Sequence, residues 1–223
     1  MFDKSDLKRD EFMLNPKKKT LGYDWWWNSL TAINEETGEE KPFFIEFFVC
    51  NPQLGKDYPV YGQDGKGNKP SYLMVKVGTW GEDHAQLNRF FGIKNVNIKG
   101  KAPFSITADN CYLDETKTYG KVVISEDDSK NHPEYMTDSG SISWNLKIDK
   151  RVAFNVGYGA STPMRKLNAF EMFWHAEGMK TFYEGEIVYN GVKYKVLPER
   201  SYGYSDKNWE TVRNHTHINT VCN

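Results

Sequence analysis

The sequence predicts an all-β protein, an antiparallel sandwich or up-and-down barrel of roughly ten short strands. Three observations carry that expectation. Apolar residues recur with period two along several segments, and polar turn clusters separate those segments at intervals of roughly 8 to 15 residues. No segment holds a helical period with caps at both ends; "GEDHAQLNRFFG" (81–92) reads either as a short turn or as the start of a strand.

Along the chain, "LGYDWWWNSL" (21–30) sets Trp25, Trp26 and Trp27 side by side. On a strand the middle ring faces opposite to its neighbours, so either the three serve as core plus barrel lid or at least one faces a second cavity or a flat ligand. "KPFFIEFFVCNP" (41–52) is an aromatic and β-branched run stopped at Asn-Pro, and "SYLMVKVGTWG" (71–81), "GKVVIS" (120–125) and "SGSISWNLKID" (139–149) read as further strands. "EGEIVYNGVKYKVLP" (184–198) is the clearest hairpin: Asn190-Gly191 supplies the two positive-φ positions of a type I′ turn, flanked by alternating Ile187, Tyr189, Val192, Tyr194 and Val196. The clusters at 34–41, 61–71 and 126–140 read as polar turns.

Composition narrows the function classes. At 223 residues the chain makes one large domain or two small ones and buries a core without staples. Lys plus Arg (29) balance Asp plus Glu (30), so no net field recruits nucleic acid. Cys50, Cys111 and Cys222 are odd in number and widely spaced, which fits inert thiols in a reducing compartment and not a disulfide framework. The segment 1–20 is polar, without a signal-peptide core, and no later run is apolar enough to span a bilayer, so a cytoplasmic protein without a transmembrane segment is expected. His215 and His217 have metal-like spacing but no third ligand nearby, so neither metal nor cofactor is expected. Phosphate-binding loops and nucleophile elbows are absent from the sequence.

Two stretches carry candidate chemistry. In "MFWHAEG" (172–178), His175 and Glu177 fall on one face of a strand, as a proton-holding pair or as a structural ion pair. In "YSDKNW" (204–209), Tyr204, Asp206 and Asn208 share one face while Ser205, Lys207 and Trp209 share the other. A carboxyl between a phenol and an amide, in an apolar setting, can stay protonated and act as a general acid. A strand end with Asx turns and a Trp plug would be written the same way.

Taken with 173–209 as a whole, "GYSDKNWE" resembles the tocopherol cyclase-like proteins and their relatives the carotenoid hydratases, or hydroxyneurosporene synthases. Their motif, Tyr-x-Asp-(His/Lys)-Asn-Trp-Gly, is matched by Tyr204, Asp206, Lys207, Asn208 and Trp209, with Glu210 in place of the Gly. The aromatic opening at Trp25 to Trp27 and "FFIEFFV" are similar to the family's N-terminal region. The resemblance implies paired lipocalin-like barrels, of which 21–209 would form the first barrel and a linking strand. The second barrel would be largely missing and 210–223 would be an atypical tail, in which case exposed apolar surface would favour self-association and leave catalysis silent. It implies a hydrophobic small-molecule ligand and proton-initiated cyclisation or hydration of an isoprenoid double bond in an apolar β-barrel site where the halves meet. Asp206 would be the donor, Tyr204 and His175 would tune it, and Trp174, Glu177, Lys207, Asn208, Trp209 and Trp26 would line the site. A barrel carrying an apolar ligand without chemistry is one alternative, and a carbohydrate-binding β-sandwich whose exposed Trp residues stack on sugars is another.

Overall fold

A computed structural model describes residues 7–14, 21–54, 69–155 and 172–212. Among the described residues twelve strands form one antiparallel sheet. β1 (Leu21–Asn34), β2 (Glu40–Cys50), β3 (Tyr72–Thr79) and β4 (Ala85–Gly92) form a meander. A second meander runs through β5 (Val96–Lys99), β6 (Ser105–Ala108), β7 (Cys111–Asp114), β8 (Lys117–Ile124), β9 (Gly140–Asn155) and β10 (Met172–Tyr189). β11 (Val192–Val196) and β12 (Gly203–Val212) lie end to end between β1 and β10 and join the two halves.

The sheet closes as a barrel, with β4 against β8 and β9. Side chains make that seam: the Arg89 guanidinium donates to Asn110 Oδ1 at 2.8 Å, and the Asn88 amide donates to Tyr135 O at 2.9 Å. Closure protects the edges of β4 from pairing with other chains. The inner face is packed with Phe43, Phe47, Leu73, Val75, Ile106 and Leu146, all fully buried, each worth about 1.5–3 kcal/mol of transfer free energy.

The sequence-level strands all appear, and the hairpin turns at Asn190 (φ 48°) and Gly191 (φ 85°), the conformation that type I′ demands. The stretch 81–92 resolves as the strand β4. Two expectations need correction. The cluster 126–140 contains a helix, α2 (Glu126–Asn131), because Ser125 Oγ accepts the Asp128 N–H at 3.0 Å and three acids occupy the positive first turn. Of the segment 1–20, the described residues 7–14 are packed into the domain and not outside it: α1 (Leu7–Asp10), too short to persist alone, docks on the barrel, with Asp10 fully buried and Leu14 3% exposed. Trp26 Nε1 donates to Asp10 O at 2.9 Å, Phe12 N to Gly100 O at 3.1 Å and Met13 N to Asp24 Oδ2 at 2.6 Å.

β12 also runs past Trp209, since Glu210, Thr211 and Val212 pair with Tyr23, Gly22 and Leu21. Cys50 and Cys111 are buried, and burial pushes the Cys111 thiol up to about 11. Cys222, His215 and His217 lie outside the described residues. Among the described residues no helix is long and apolar enough to cross a membrane, and no group of three or more His, Cys, Asp and Glu could hold a metal ion.

Candidate acid site on the outer face

Register across four strands sets Lys76 (β3), Glu46 (β2), Trp27 (β1) and Asp206 (β12) in one row on the outer face. Direct cross-strand partners sit about 5 Å apart at Cβ. Lys76 Nζ pairs with Glu46 Oε2 at 2.8 Å, and the Glu46 carboxyl is 3% exposed. Aromatic rings fill the surroundings. Trp27 stacks on Phe44 at 5.0 Å, Trp25 meets Phe48 at 6.1 Å, and Tyr23 stacks on Phe48 at 5.4 Å. Phe44, Phe48, Tyr23 and Tyr72 are buried although they face outward, so β1 to β3 carry a second apolar layer.

At the β10 side of the row, Trp174 Nε1 donates to Asp206 Oδ2 at 2.9 Å and Tyr204 OH donates to the same oxygen at 3.1 Å. Burial raises the Asp206 pKa above the ordinary carboxyl value; the two hydrogen bonds and the influence of His175 oppose that rise without cancelling it. Both donors converge on Oδ2. With the proton on Oδ1, Oδ2 remains a full acceptor, so the neutral acid keeps both hydrogen bonds and holds its O–H ready to donate. Glu46 is likewise raised, by burial first and by Asp206 in part, against the pull of Lys76.

The residues singled out from the sequence therefore separate by parity. Asp206, Tyr204, Trp174 and Asn208 come together on the outer face, Asn208 pairing across with Trp25 and Trp174. His175, Glu177, Lys207, Trp26 and Trp209 are buried on the inner face, and their expected place beside Asp206 is corrected. Strand alternation is the reason: Lys207 and His175 are paired neighbours pointing inward. Trp26 is packed between Phe12 and Phe104, with ring centroids 6.3 and 5.0 Å away, and Lys207 Nζ lies 3.8 Å above its ring. Trp209 stacks on Phe173 at 5.3 Å.

The inner face holds a buried ionic cluster that the sequence reading did not identify. Lys150 Nζ contacts Glu177 at 2.8 Å, Glu115 at 3.0 Å and Asp10 at 3.1 Å. Burial opposes its charge, but the three carboxyls together hold its pKa well above the usual value. His175 Nε2 lies 3.2 Å from Asp10 Oδ1, outside hydrogen-bond geometry. Lys207 and Asp24 form a second buried pair, each pushed toward its neutral form by burial, Asp24 to about 6. Burial drives Glu115 up to about 8 and Glu177 well above the carboxyl range. Asp10 is held low, since the Lys150 charge and the His175 and Glu115 contacts outweigh its own burial. Beside this cluster Tyr183 OH contacts Asn28 Oδ1 at 2.8 Å and Ser205 Oγ at 2.6 Å. Among the acids not singled out from the sequence, Glu46 carries a signal that could have found it: a carboxyl inside "FFIEFFV" needs a cation opposite, and Lys76 supplies it.

Fold and site define an antiparallel β-barrel whose outer aromatic layer carries a partly buried, hydrogen-bonded acid. No family model matches the chain, and no curated protein matches it. Among solved structures it is similar to a crystal structure from Nitrosomonas europaea described as a candidate AttH protein, with a TM-score of 0.53 and 10% identity over 95% of this chain and 56% of that one. This chain thus spans about half the length of that neighbour. At such identity the likeness concerns the fold.

Proposed function

We propose that the outer face around Asp206 binds an apolar, unsaturated small molecule of isoprenoid type and protonates its double bond, in the manner of the tocopherol cyclase-like proteins and carotenoid hydratases. The observation that carries this reading is the Asp206 carboxyl, raised in pKa by burial while two donors converge on one of its oxygens. In the reaction Asp206 Oδ1 gives its proton to one alkene carbon and becomes a carboxylate. The cation left on the other carbon is captured by a ligand hydroxyl or by water, whose surplus proton returns to the carboxylate. The rings of Trp27 and Trp174 offer negative faces to the cation without forming a bond to it.

The test is incubation with a prenylated hydroquinone or an acyclic polyene in deuterium oxide. The expected product carries one non-exchangeable deuterium at the protonated carbon, and Asp206→Asn abolishes its formation while ligand binding persists. Undiminished turnover in Asp206→Asn refutes the proton donor. Binding without turnover in the unaltered protein makes the barrel a carrier.

A further inference from the structure

Next to the acid row, on the far side of Trp27, the outer face opens into a cavity of about 210 Å³. Its floor is aromatic. Trp80 lies 4.9 Å from Phe44 and 6.0 Å from Trp27, tilted by about 40° to both, while Trp27 and Phe44 are nearly parallel. The platform is fixed in place. Phe44 lies so close over Gly78 that a Cβ there would meet the ring at 2.4 Å, and Thr79 Oγ1 donates to Pro42 O at 2.7 Å. Yet Trp80 is 43% exposed, a large ring held at the surface and lining the cavity.

The rim is polar and mixed in character. Asp138 and Gln86 are knitted together, with Gln86 N donating to Asp138 Oδ2 at 2.7 Å and Asp138 N to Gln86 O at 2.8 Å. Lys76 and His84 complete the lining. Lys76 only donates, Asp138 only accepts, and the His84 ring and Gln86 amide do both. Lys76 already pairs with Glu46 and Asp138 with Gln86, but a hydrocarbon would cover the remaining donors and acceptors of this rim, the His84 ring included, without answering them. An anion would meet the carboxylate, and a cation would meet the ammonium. A neutral ring that is apolar on one face and hydroxylated around its edge satisfies all of them.

We propose that this pocket is a carbohydrate subsite, in which a neutral pyranose stacks its C–H face on Trp80 and its hydroxyls exchange hydrogen bonds with Lys76, His84, Gln86 and Asp138. The subsite does not depend on proton donation by Asp206, and its test reads binding with no turnover. Saturation-transfer NMR on the full chain, with glucose, galactose, mannose, N-acetylglucosamine, maltose and cellobiose each titrated to roughly 50 mM, covers the millimolar affinities of single stacked sugars. At least one saccharide should saturate with transfer to its ring C–H protons, and Trp80→Ala should weaken it by about tenfold or more, the loss expected for an aromatic contact. Trp80→Phe should retain part of the binding. His84→Ala, also exposed, should weaken binding with the melting curve unmoved. The inference is overturned if no saccharide binds, if binding is unchanged in Trp80→Ala, or if indole fills the pocket while every sugar fails.

Discussion

Asp206 and Lys207 are consecutive residues, yet they inhabit opposite worlds. Asp206 faces outward, partly open, and its carboxyl is held by an indole and a phenol. Lys207 faces inward, wholly buried, and is held by the Asp24 carboxyl and the Trp26 ring. The strand alternation that makes both from one segment assigns them different duties. Inner charges are matched by other charges of this chain, so their removal is felt as stability. The outer acid is matched by neutral donors that tolerate either protonation state, so its removal should cost little stability.

The sharpest way to break that contrast is Lys150→Met, which leaves Asp10, Glu115 and Glu177 crowded without their shared cation. Breaking a buried network of this kind costs about 3–5 kcal/mol, and urea unfolding should show a loss of that size. A loss near zero would mean the inner charges are solvated after all. Tyr183→Phe should cost about 1–3 kcal/mol, because Asn28 and Ser205 lose a buried partner.

Acidity offers a third comparison. An acid whose folded pKa stands above its unfolded value binds its proton more tightly when folded, so the stability it adds is complete at low pH and disappears as pH rises through the folded pKa. Glu115 is raised from 4.5 to about 8 and Asp24 from 3.8 to about 6. Melting temperature should therefore fall from pH 5 to pH 8, and Glu115→Gln should flatten the slope. The smallest stability effect belongs to Asp206→Asn, within about 1 kcal/mol, since the amide oxygen can accept both hydrogen bonds that Oδ2 accepts. Trp174→Phe should instead raise the Asp206 pKa further by removing a donor to the carboxylate, a shift that carboxyl carbon NMR resolves. A fall would contradict the outer-site geometry.

Period two made most of the barrel readable: the strands around Phe43 to Val49, the hairpin at Asn190-Gly191, and the division of 204–209 into two faces all follow from local pattern. Which of those faces turns inward does not, because it depends on β1 and β10 arriving on either side. Asp10 was unreadable for the same reason. In "DLKRDE" it looks like one solvated charge among several, and only Lys150, 140 residues away, allows it to be buried. Trp80 was legible as a strand-end aromatic, but its pocket needs Asp138 from a distant turn.

The placement of β12 beside β1 also bears on how the protein is made. At roughly 5–20 residues per second on the ribosome, Trp25, Trp26 and Trp27 wait about ten seconds or more for the strand that flanks them. During that interval an aromatic edge stands open to any extended chain nearby, and Trp26 lacks Phe104 for the first part of it and Lys207 throughout. Chaperone engagement with the nascent N-terminal meander is the expected consequence, and ribosome profiling of chaperone-bound chains should find it still present when the codons of β12 are being read.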